Sequence, residues 1–438
     1  MQSKHLVLGA IALLLQISFP AAHAVGQTAL SVSPAMAASE PSSAQSFLTL
    51  DQAIDLALTS NPELRSTTRA IGIAEGAVQQ AGARRNPELS FLTEGTDRNS
   101  RTETTQINQA IELGGKRAAR IAAAEQERSV ATDDVSIKRA ALRADVITAY
   151  METLTAQERL ILAQASVDLA HRATVITSHR VTAGKISPVE QTRSSVAEAA
   201  ARLEQTQAQA DLALAKRRLA TLMASPRSLD QTLQAPDPTF VQLPLLADLL
   251  ARLDATPQLR RALSTVASRD AQVALERSQR IPDVTVTVGS QRDRQLGRTQ
   301  AVFGLSVPLP LFNRNQGNTL SALRRADQAR DDVEAERLRV TGDLTDAYQR
   351  AEVASMQTTT LRDEVLPAAQ NAYEAATTGF ELGKFAFTDV LDAQRTLFQT
   401  KAQYLRALAD RYRSIADVQR YVPTDSDARI NQIKGTPR

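Results

Sequence analysis

The chain repeats itself, and that repeat limits its possible folds more than any other property. Asn61-Pro62-Glu63-Leu64 returns as Thr256-Pro257-Gln258-Leu259, and Asn86-Pro87-Glu88-Leu89 returns as Ile281-Pro282-Asp283-Val284; both shifts are 195 positions (257 − 62 and 282 − 87). Gly184-Lys185 returns as Gly383-Lys384 at a shift of 199 (383 − 184). Two prolines and a turn held so nearly in register mark a tandem duplication. The halves are expected at 49–235 and 236–422. Each contains a proline-led helix, a stretch of period two, a very long helical run and a Gly-Lys turn from which a second helix returns.

The boundaries carry their own signals. Thr49-Leu50-Asp51-Gln52 reads as a capping box opening a short helix. Asn61 caps the next helix with Pro62 at its first position, where the missing N–H is harmless. That helix is predicted to reach about Arg85 and to stop before Pro87; Thr256 and Pro257 repeat the device before Pro282. The period then becomes two. Val284, Val286 and Val288 alternate with Thr285, Thr287 and Gly289, and Phe303, Leu305 and Val307 with Gly304, Ser306 and Pro308. In the first half Leu89 and Phe91 alternate with Ser90, and Ile107, Ile111 and Leu113 share one face of the partner segment. Strands are expected at 88–97, 103–113, 283–292 and 299–309, joined by polar loops at 95–102 and 290–298. Arms of about ten residues suit a tilted membrane strand. A half-buried hairpin of a soluble domain has the same pattern.

Helix length separates these alternatives. No proline and no helix-ending glycine interrupts Lys116 to Thr182, which at about 1.5 Å per residue is roughly 100 Å of helix. Leu142, Val146, Ala149, Thr153, Ala156, Leu160, Ala163, Val167 and Ala170 step by four and three, the spacing of a coiled-coil seam. A second apolar row, Ile147, Tyr150, Leu154 and Ile161, gives the helix neighbours on two sides, as a stave in a closed ring requires. The returning helix has Ser187 as cap, Pro188 at its first position and Glu190 to complete a box, and ends near Pro226. The second half repeats the plan, with a long helix over 318–380 kinked at Pro367. Its return helix carries Leu391, Phe398, Leu405 and Tyr412 and ends before Pro423. The fold class expected is α plus membrane β-barrel, with four strands per chain. Four strands leave two open edges, which a bilayer does not tolerate, so several copies must close the sheet; two, three or four would each do so.

Composition excludes several functions. Lys and Arg number 51 against 48 Asp and Glu, and no basic run is interleaved with aromatics, so nucleic acid is not an expected partner. Residues 1–24 read as a secretory signal: Lys4, an apolar run from Leu6 to Phe19, then Ala22-His23-Ala24. Residues 25–48 are an Ala/Ser/Pro-rich leader without periodicity, and 423–438 a polar tail. There is no cysteine, hence neither a disulfide nor a thiol for acylation. No later stretch approaches about 18 uninterrupted apolar residues, so a membrane passage would be made by strands. His171 and His179, eight positions apart, are the histidines beyond the signal and cannot furnish three or four metal ligands. Gly114-Gly115-Lys116 lacks the spacing of a phosphate loop and reads as a strand-to-helix corner. No catalytic constellation, resident metal or cofactor is expected.

With these features in place, the sequence resembles the TolC family of outer-membrane efflux proteins over about residues 49–422. The resemblance rests on the duplication, on LTLDQAIDLALTSNPEL (Leu48 to Leu64) and on the two turn segments. Within the family it is most similar to the CzcC-type outer-membrane components of heavy-metal resistance pumps, through QAIELGGKRAARIAAAE (Gln109 to Glu125) and VPLPLFNRNQGN (Val307 to Asn318). This implies a homotrimer in outer-membrane lipid with a twelve-stranded barrel and a periplasmic helical tunnel. It also implies a periplasmic adaptor (membrane fusion) protein and an inner-membrane RND pump as partners, and export of divalent cobalt-, zinc- or cadmium-class cations. A duct for drugs or secreted polypeptide is the alternative within the family. A periplasmic coiled-coil adaptor is the alternative outside it, and predicts one helical hairpin between compact β-domains. Asp389 and Asp392 match positions where the family places carboxylates near the periplasmic mouth. Three apart, they share a helix face, and threefold symmetry would make each a ring attracting cations. The helix dipole also favours acids in a first turn, and Asp389 occupies the slot of Glu190. Gly184, Lys185, Gly383 and Lys384 would form the adaptor-docking tips; glycine alone also explains a tight reversal there. Phe380 and Phe385 stand where the family often carries a basic or tyrosine gate partner.

Overall fold

A computed structural model describes residues 47–95, 97, 100–225, 231–236, 243–382, 384–385 and 387–421. The signal, most of the leader, the polar tail and Gly383 lie outside the described residues. The helices are α1 (Leu50–Ser60), α2 (Pro62–Gly82), α3 (Lys116–Thr182), α4 (Pro188–Met223), α5 (Leu246–Ala251), α6 (Pro257–Ser278), α7 (Gln316–Thr360), α8 (Leu366–Glu381) and α9 (Phe387–Gln419). The strands are β1 (Phe47–Leu48), β2 (Glu88–Glu94), β3 (Thr102–Ile111), β4 (Thr232–Leu233), β5 (Val284–Asp293) and β6 (Arg298–Ser306).

Local signals explain where the helices begin. Thr49 and Gln52 form the reciprocal capping box of α1. Asn61 Oδ1 accepts from the Glu63 and Leu64 amides (2.9 and 3.1 Å), while its Nδ2 donates to Leu222 O at 3.0 Å. One side chain thus caps α2 and binds a last-turn carbonyl of α4, setting the two helices end to end. Thr256 caps α6 through the Leu259 amide. Ser187 caps α4 through Val189, but the expected box does not form there: Glu190 turns outward and pairs with Arg193 at 3.0 Å.

The expected full-length helix is present as the 67 residues of α3, about 100 Å at 1.5 Å per residue. Its counterpart is interrupted ahead of Pro367. A π turn, Leu361–Val365, joins α7 to α8 just before that proline. The ring at Pro367 removes one N–H and crowds the carbonyl four residues back; widening the preceding turn relieves both without breaking the helix. Helix α2 ends at Gly82 rather than Arg85, leaving an extended approach to Pro87.

Helix α3 is flanked by α2 and α4 on one side and by α6 and α9 on the other; α6 and α9 in turn contact α7, and α8 runs beside α9. Continuous staves therefore alternate with staves made of two pieces. Alanine allows the close approach: Ala144, Ala149, Ala163, Ala170, Ala326, Ala347 and Ala351 are all buried. The α3 seam is buried at Leu142, Val146, Ala149, Thr153, Ala163 and Ala170. Its second row holds at Ile147, Tyr150 and Leu154, whereas Ile161 is exposed. Ion pairs bridge the staves outside the seams, among them Lys138–Glu63 (2.5 Å), Arg261–Asp134 (2.6 Å) and Arg330–Asp270 (2.7 Å). Such exposed pairs set register more than stability.

Two short strands, β1 and β4, pair in parallel across the middle of α3. Tyr150, fully buried, ties them down, its hydroxyl lying 2.7 Å from Leu48 O and 2.6 Å from Gln234 O. Burial pushes the Tyr150 phenol up to about 12. Gln157 completes the clamp, donating to Leu233 O (3.2 Å) and accepting from Leu233 N (3.0 Å).

The second sheet has the order β2-β3-β5-β6, antiparallel throughout, and the β3–β5 ladder joins the two repeats. Its strands depart from the expected bounds at both ends. Strand β5 continues to Asp293, one residue past its expected end, because Thr102 to Thr104 of β3 supply partners, so the loop expected from 290 begins only after 293. Strand β6 stops at Ser306 because Pro308 and Pro310 bring no N–H. Strand β3 stops at Ile111, ahead of two glycines in the left-handed region.

Candidate functional site

Register assigns the sheet two chemically distinct faces. Residues opposite one another across a ladder point the same way, so Leu89, Ile107, Val288 and Phe303 form one continuous row over all four strands. Gln109, Val286 and Leu305 lie next to it toward the helices, and Phe91, Thr105, Ser290 and Ala301 on the far side. This face is bare: Phe303 is 78% exposed, Phe91 72% and Leu305 71%. The opposite face is mostly polar, with Leu92, Ala110 and Val302 as its apolar members. Thr287 Oγ1 donates to Asn108 Oδ1 at 2.7 Å and Asn108 Nδ2 to Ser90 Oγ at 3.4 Å, a ladder across three strands. Apolar residues in the open and polar residues on the sheltered side invert the arrangement of a sheet in water and match that of a strand between lipid and an aqueous lumen.

The sheet is fastened to the helices at two corners. Gly114 and Gly115 adopt φ of +69° and +72°; a Cβ on Gly114 would also sit 2.8 Å from Ile281 Cβ. This turn buries Lys116, whose Nζ lies 2.5 Å from Asp283 Oδ1 at the start of the second hairpin. Arg85 reaches Asp283 (3.4 Å) and Glu112 (3.5 Å), and Arg120 grips Glu112 with two bonds of 2.5 and 3.0 Å. The second corner uses Asn315, at φ +56°, whose amide donates to Glu276 O and Oε2 at 2.9 and 2.7 Å. Asparagine is the residue that tolerates this region best after glycine.

At the far end, the first tip closes α3 with a Schellman turn: Lys185 N–H donates to Arg180 O and Gly184 N–H to Val181 O, both at 2.9 Å, with Gly184 at φ +67°. The second tip repeats the long-range bond, Lys384 N–H to Gly379 O at 2.8 Å; Gly383 itself lies outside the described residues. Phe385 covers Gly379 so closely that a Cβ there would overlap its ring. The Arg180 guanidinium sits 5.3 Å from the Phe380 ring centroid, linking the two tips by a cation–π contact. Asp389 and Asp392 are exposed on either side of buried Val390. His171, mostly exposed, bonds Glu198 through Nδ1 at 3.1 Å. That bond, with Thr174 and Arg202, holds the Glu198 carboxyl below its ordinary range.

The structure thus leaves Asp389 and Asp392 exposed near one tip and puts Gly184, Lys185 and Lys384 at the tips. Sequence reading missed the Arg180–Phe380 contact and the five-charge cluster of Arg85, Glu112, Lys116, Arg120 and Asp283. The charges beside the glycine corner were a signal for the cluster, but its pairing spans 167 positions. Among the described residues no group of three or more His, Cys, Asp and Glu could hold a metal, and no helix is long and apolar enough to cross a membrane.

The family profile described as "Outer membrane efflux protein" matches residues 53–225 and 251–422. The cobalt-zinc-cadmium resistance protein CzcC of Cupriavidus metallidurans is 42% identical over 388 residues, covering 87% of this chain and 91% of that protein. The nickel-cobalt-cadmium resistance protein NccC of Alcaligenes xylosoxydans xylosoxydans is 28% identical over 58% of this chain and 59% of its own. Among solved structures, the transmembrane channel CusC superposes with a TM-score of 0.71 at 20% identity, over 84% of this chain and 90% of that one.

Proposed function

Because this chain belongs to the outer membrane efflux protein family, we propose that it is the outer-membrane exit duct of a tripartite RND-type system that exports divalent heavy-metal cations. The observation that carries the cargo is the 42% identity to CzcC, sustained over 91% of that protein. The two-faced sheet supports the duct itself. Its bare apolar face suits lipid and its polar face suits a wet lumen.

Strands β2 and β6 each have one ladder partner within the chain, and an unpaired edge is not stable in hydrocarbon. Three copies joined β6 to β2 would make twelve strands and abolish the edges; the family resemblance selects three over two or four. The same symmetry would set the alternating staves side by side as a periplasmic tunnel. Asp389 and Asp392 would then each become a ring of three carboxylates at its mouth. Such rings concentrate cations and repel anions. Transport through the duct is passive: ions move down the gradient that the inner-membrane pump maintains. The tips at Gly184, Lys185, Gly383 and Lys384 would dock on a periplasmic adaptor that bridges to that pump.

Deleting the gene and profiling cobalt, zinc and cadmium against drug sensitivity tests the cargo. Metal sensitivity with unchanged drug tolerance is expected; the reverse would transfer the assignment to a drug duct. Outer-membrane fractionation with unboiled gel electrophoresis tests the assembly, and a monomer in the soluble periplasm would overturn it.

A further inference from the structure

The bare face of the sheet does not end in apolar residues. Two rows beyond Leu89–Ile107–Val288–Phe303, away from the helices, register brings Thr93, Glu103, Arg292 and Thr299 onto the same face. Glu103 Oε1 accepts from Arg101 Nη2 and from Arg294 Nη2, both at 2.9 Å. The two guanidiniums therefore stand on that face beside Arg292, which is exposed and has no ion-pair partner among the described residues. Three cations and one anion leave this patch at +2 (3 − 1). The nearby acids Glu94 and Asp293 belong to the opposite face, in register with Thr102 and Arg298. Asp293 Oδ1 is also occupied by the amides of Gln295 and Leu296.

The height of the patch is informative. From Val284 to Arg292 is eight residues (292 − 284) of β5, about 27 Å of strand. With a strand tilt of about 40°, that is about 21 Å along the membrane normal, close to the full apolar band of such a barrel. The patch therefore sits where hydrocarbon gives way to headgroups at the end of the sheet remote from the periplasmic helices. Arg101 and Arg294 each keep donors beyond a single bond to Glu103, and Arg292 makes no bond to it; all three present the planar fork that suits phosphate oxygens. Glu103 holds two of the forks in fixed relation, which lowers the ordering penalty for a bound anion.

The geometry points to Arg101, Arg292 and Arg294 as a docking site for the phosphate groups of an outer-leaflet glycolipid. This rests on the reading above that the sheet spans the outer membrane. Cation–phosphate complementarity, next to an apolar surface that would take the acyl chains, favours a phosphorylated lipid over free phosphate. The acyl chains add attraction that inorganic phosphate lacks.

The test uses the full chain, extracted in detergent from outer-membrane fractions and titrated with bisphosphorylated lipid A, dephosphorylated lipid A and inorganic phosphate. The intact protein is expected to bind the phosphorylated lipid about tenfold or more tightly than the dephosphorylated one, the effect of one or two charge-assisted contacts. The R101Q/R292Q/R294Q variant is expected to lose that preference while still binding both lipids through their chains. Should the triple variant fail to assemble, Arg292→Gln alone breaks no ion pair and is expected to reduce the preference. Equal binding of the two lipids by the intact protein, a preference that survives the substitutions, or inorganic phosphate binding as tightly as the lipid would each overturn the inference. A chain absent from the outer-membrane fraction overturns both the inference and the reading beneath it. A chain present there without phosphate preference overturns the inference alone.

Discussion

Tyr150→Phe isolates one hydroxyl at the middle of α3. The ring is fully buried and phenylalanine fills the same volume, so no cavity opens. The hydroxyl lies 2.7 Å from Leu48 O and 2.6 Å from Gln234 O, and its single proton can serve only one at a time. Leu48 O keeps a second donor, the Gln234 amide at 3.1 Å, so Gln234 O is the acceptor left short. Stranding a shielded carbonyl and losing one hydrogen bond together cost about 2 kcal/mol. If that falls on the local opening of β1 from β4, the Gln234 amide should exchange about thirtyfold faster. Hydrogen exchange read by mass spectrometry over 47–48 and 232–234 measures this directly. Alkali supplies a second reading. An unfolded chain releases the phenolic proton near its ordinary value of about 10, whereas burial holds the folded group at about 12. Between those values the unfolded state binds fewer protons, so this contribution to stability is whole below pH 10 and is lost as pH rises toward 12. The wild type should weaken over that window relative to the variant. Unchanged exchange at Gln234, with parallel alkaline profiles, would show that Tyr150 does not clamp β1 and β4 together.

Four further outcomes are expected. Lys116→Met leaves Asp283 with Arg85 alone at 3.4 Å, and breaking such a shielded pair should cost about 3 kcal/mol, seen as a lower temperature of heat-modifiability on unboiled gels. Gly184→Ala meets no steric neighbour, so its penalty of about 1 kcal/mol comes from φ alone and should appear as faster exchange of the Lys185 amide. The D389N/D392N variant should reach the membrane normally but show reduced cation over anion permeability in planar bilayers; unchanged selectivity would remove these residues from the pathway. Glu198, its carboxyl held low by His171, should contribute to the α3–α4 contact above its unfolded value and lose that contribution as pH falls through the lower folded one; Glu198→Gln should flatten the acid-side rise in exchange near His171.

Much of the helical plan was legible because its signals are local. Uninterrupted helix formers from Lys116 to Thr182, asparagine or threonine before Pro62 and Pro257, and glycine at position 184 each act within a few residues. The sheet's alternation was legible for the same reason. What escaped depends on partners remote in sequence. Nothing near Tyr150 indicates that its hydroxyl meets backbone 102 positions earlier and 84 later. The box expected at Glu190 was lost to a competing arginine three residues on, and the helix expected to kink at Pro367 carries a π turn just before it. Exposure of Asp389 and Asp392, the residues proposed for the mouth, accords with either an entrance ring or a helix-dipole preference, since a ring is a property of several chains.

The ladder between β3 and β5 also bears on the order in which the molecule is made. Thr287 and Asn108, bonded across it, are 179 positions apart, whereas the helical hairpins close on themselves nearby in sequence. Contacts so distant form late. While the second repeat is still being synthesised and secreted, the first must therefore wait with β3 unsatisfied, an inviting template for any passing strand. A half-made molecule is thus more prone to aggregate than a finished one, and shielding it during transit is a requirement that the duplicated topology itself creates.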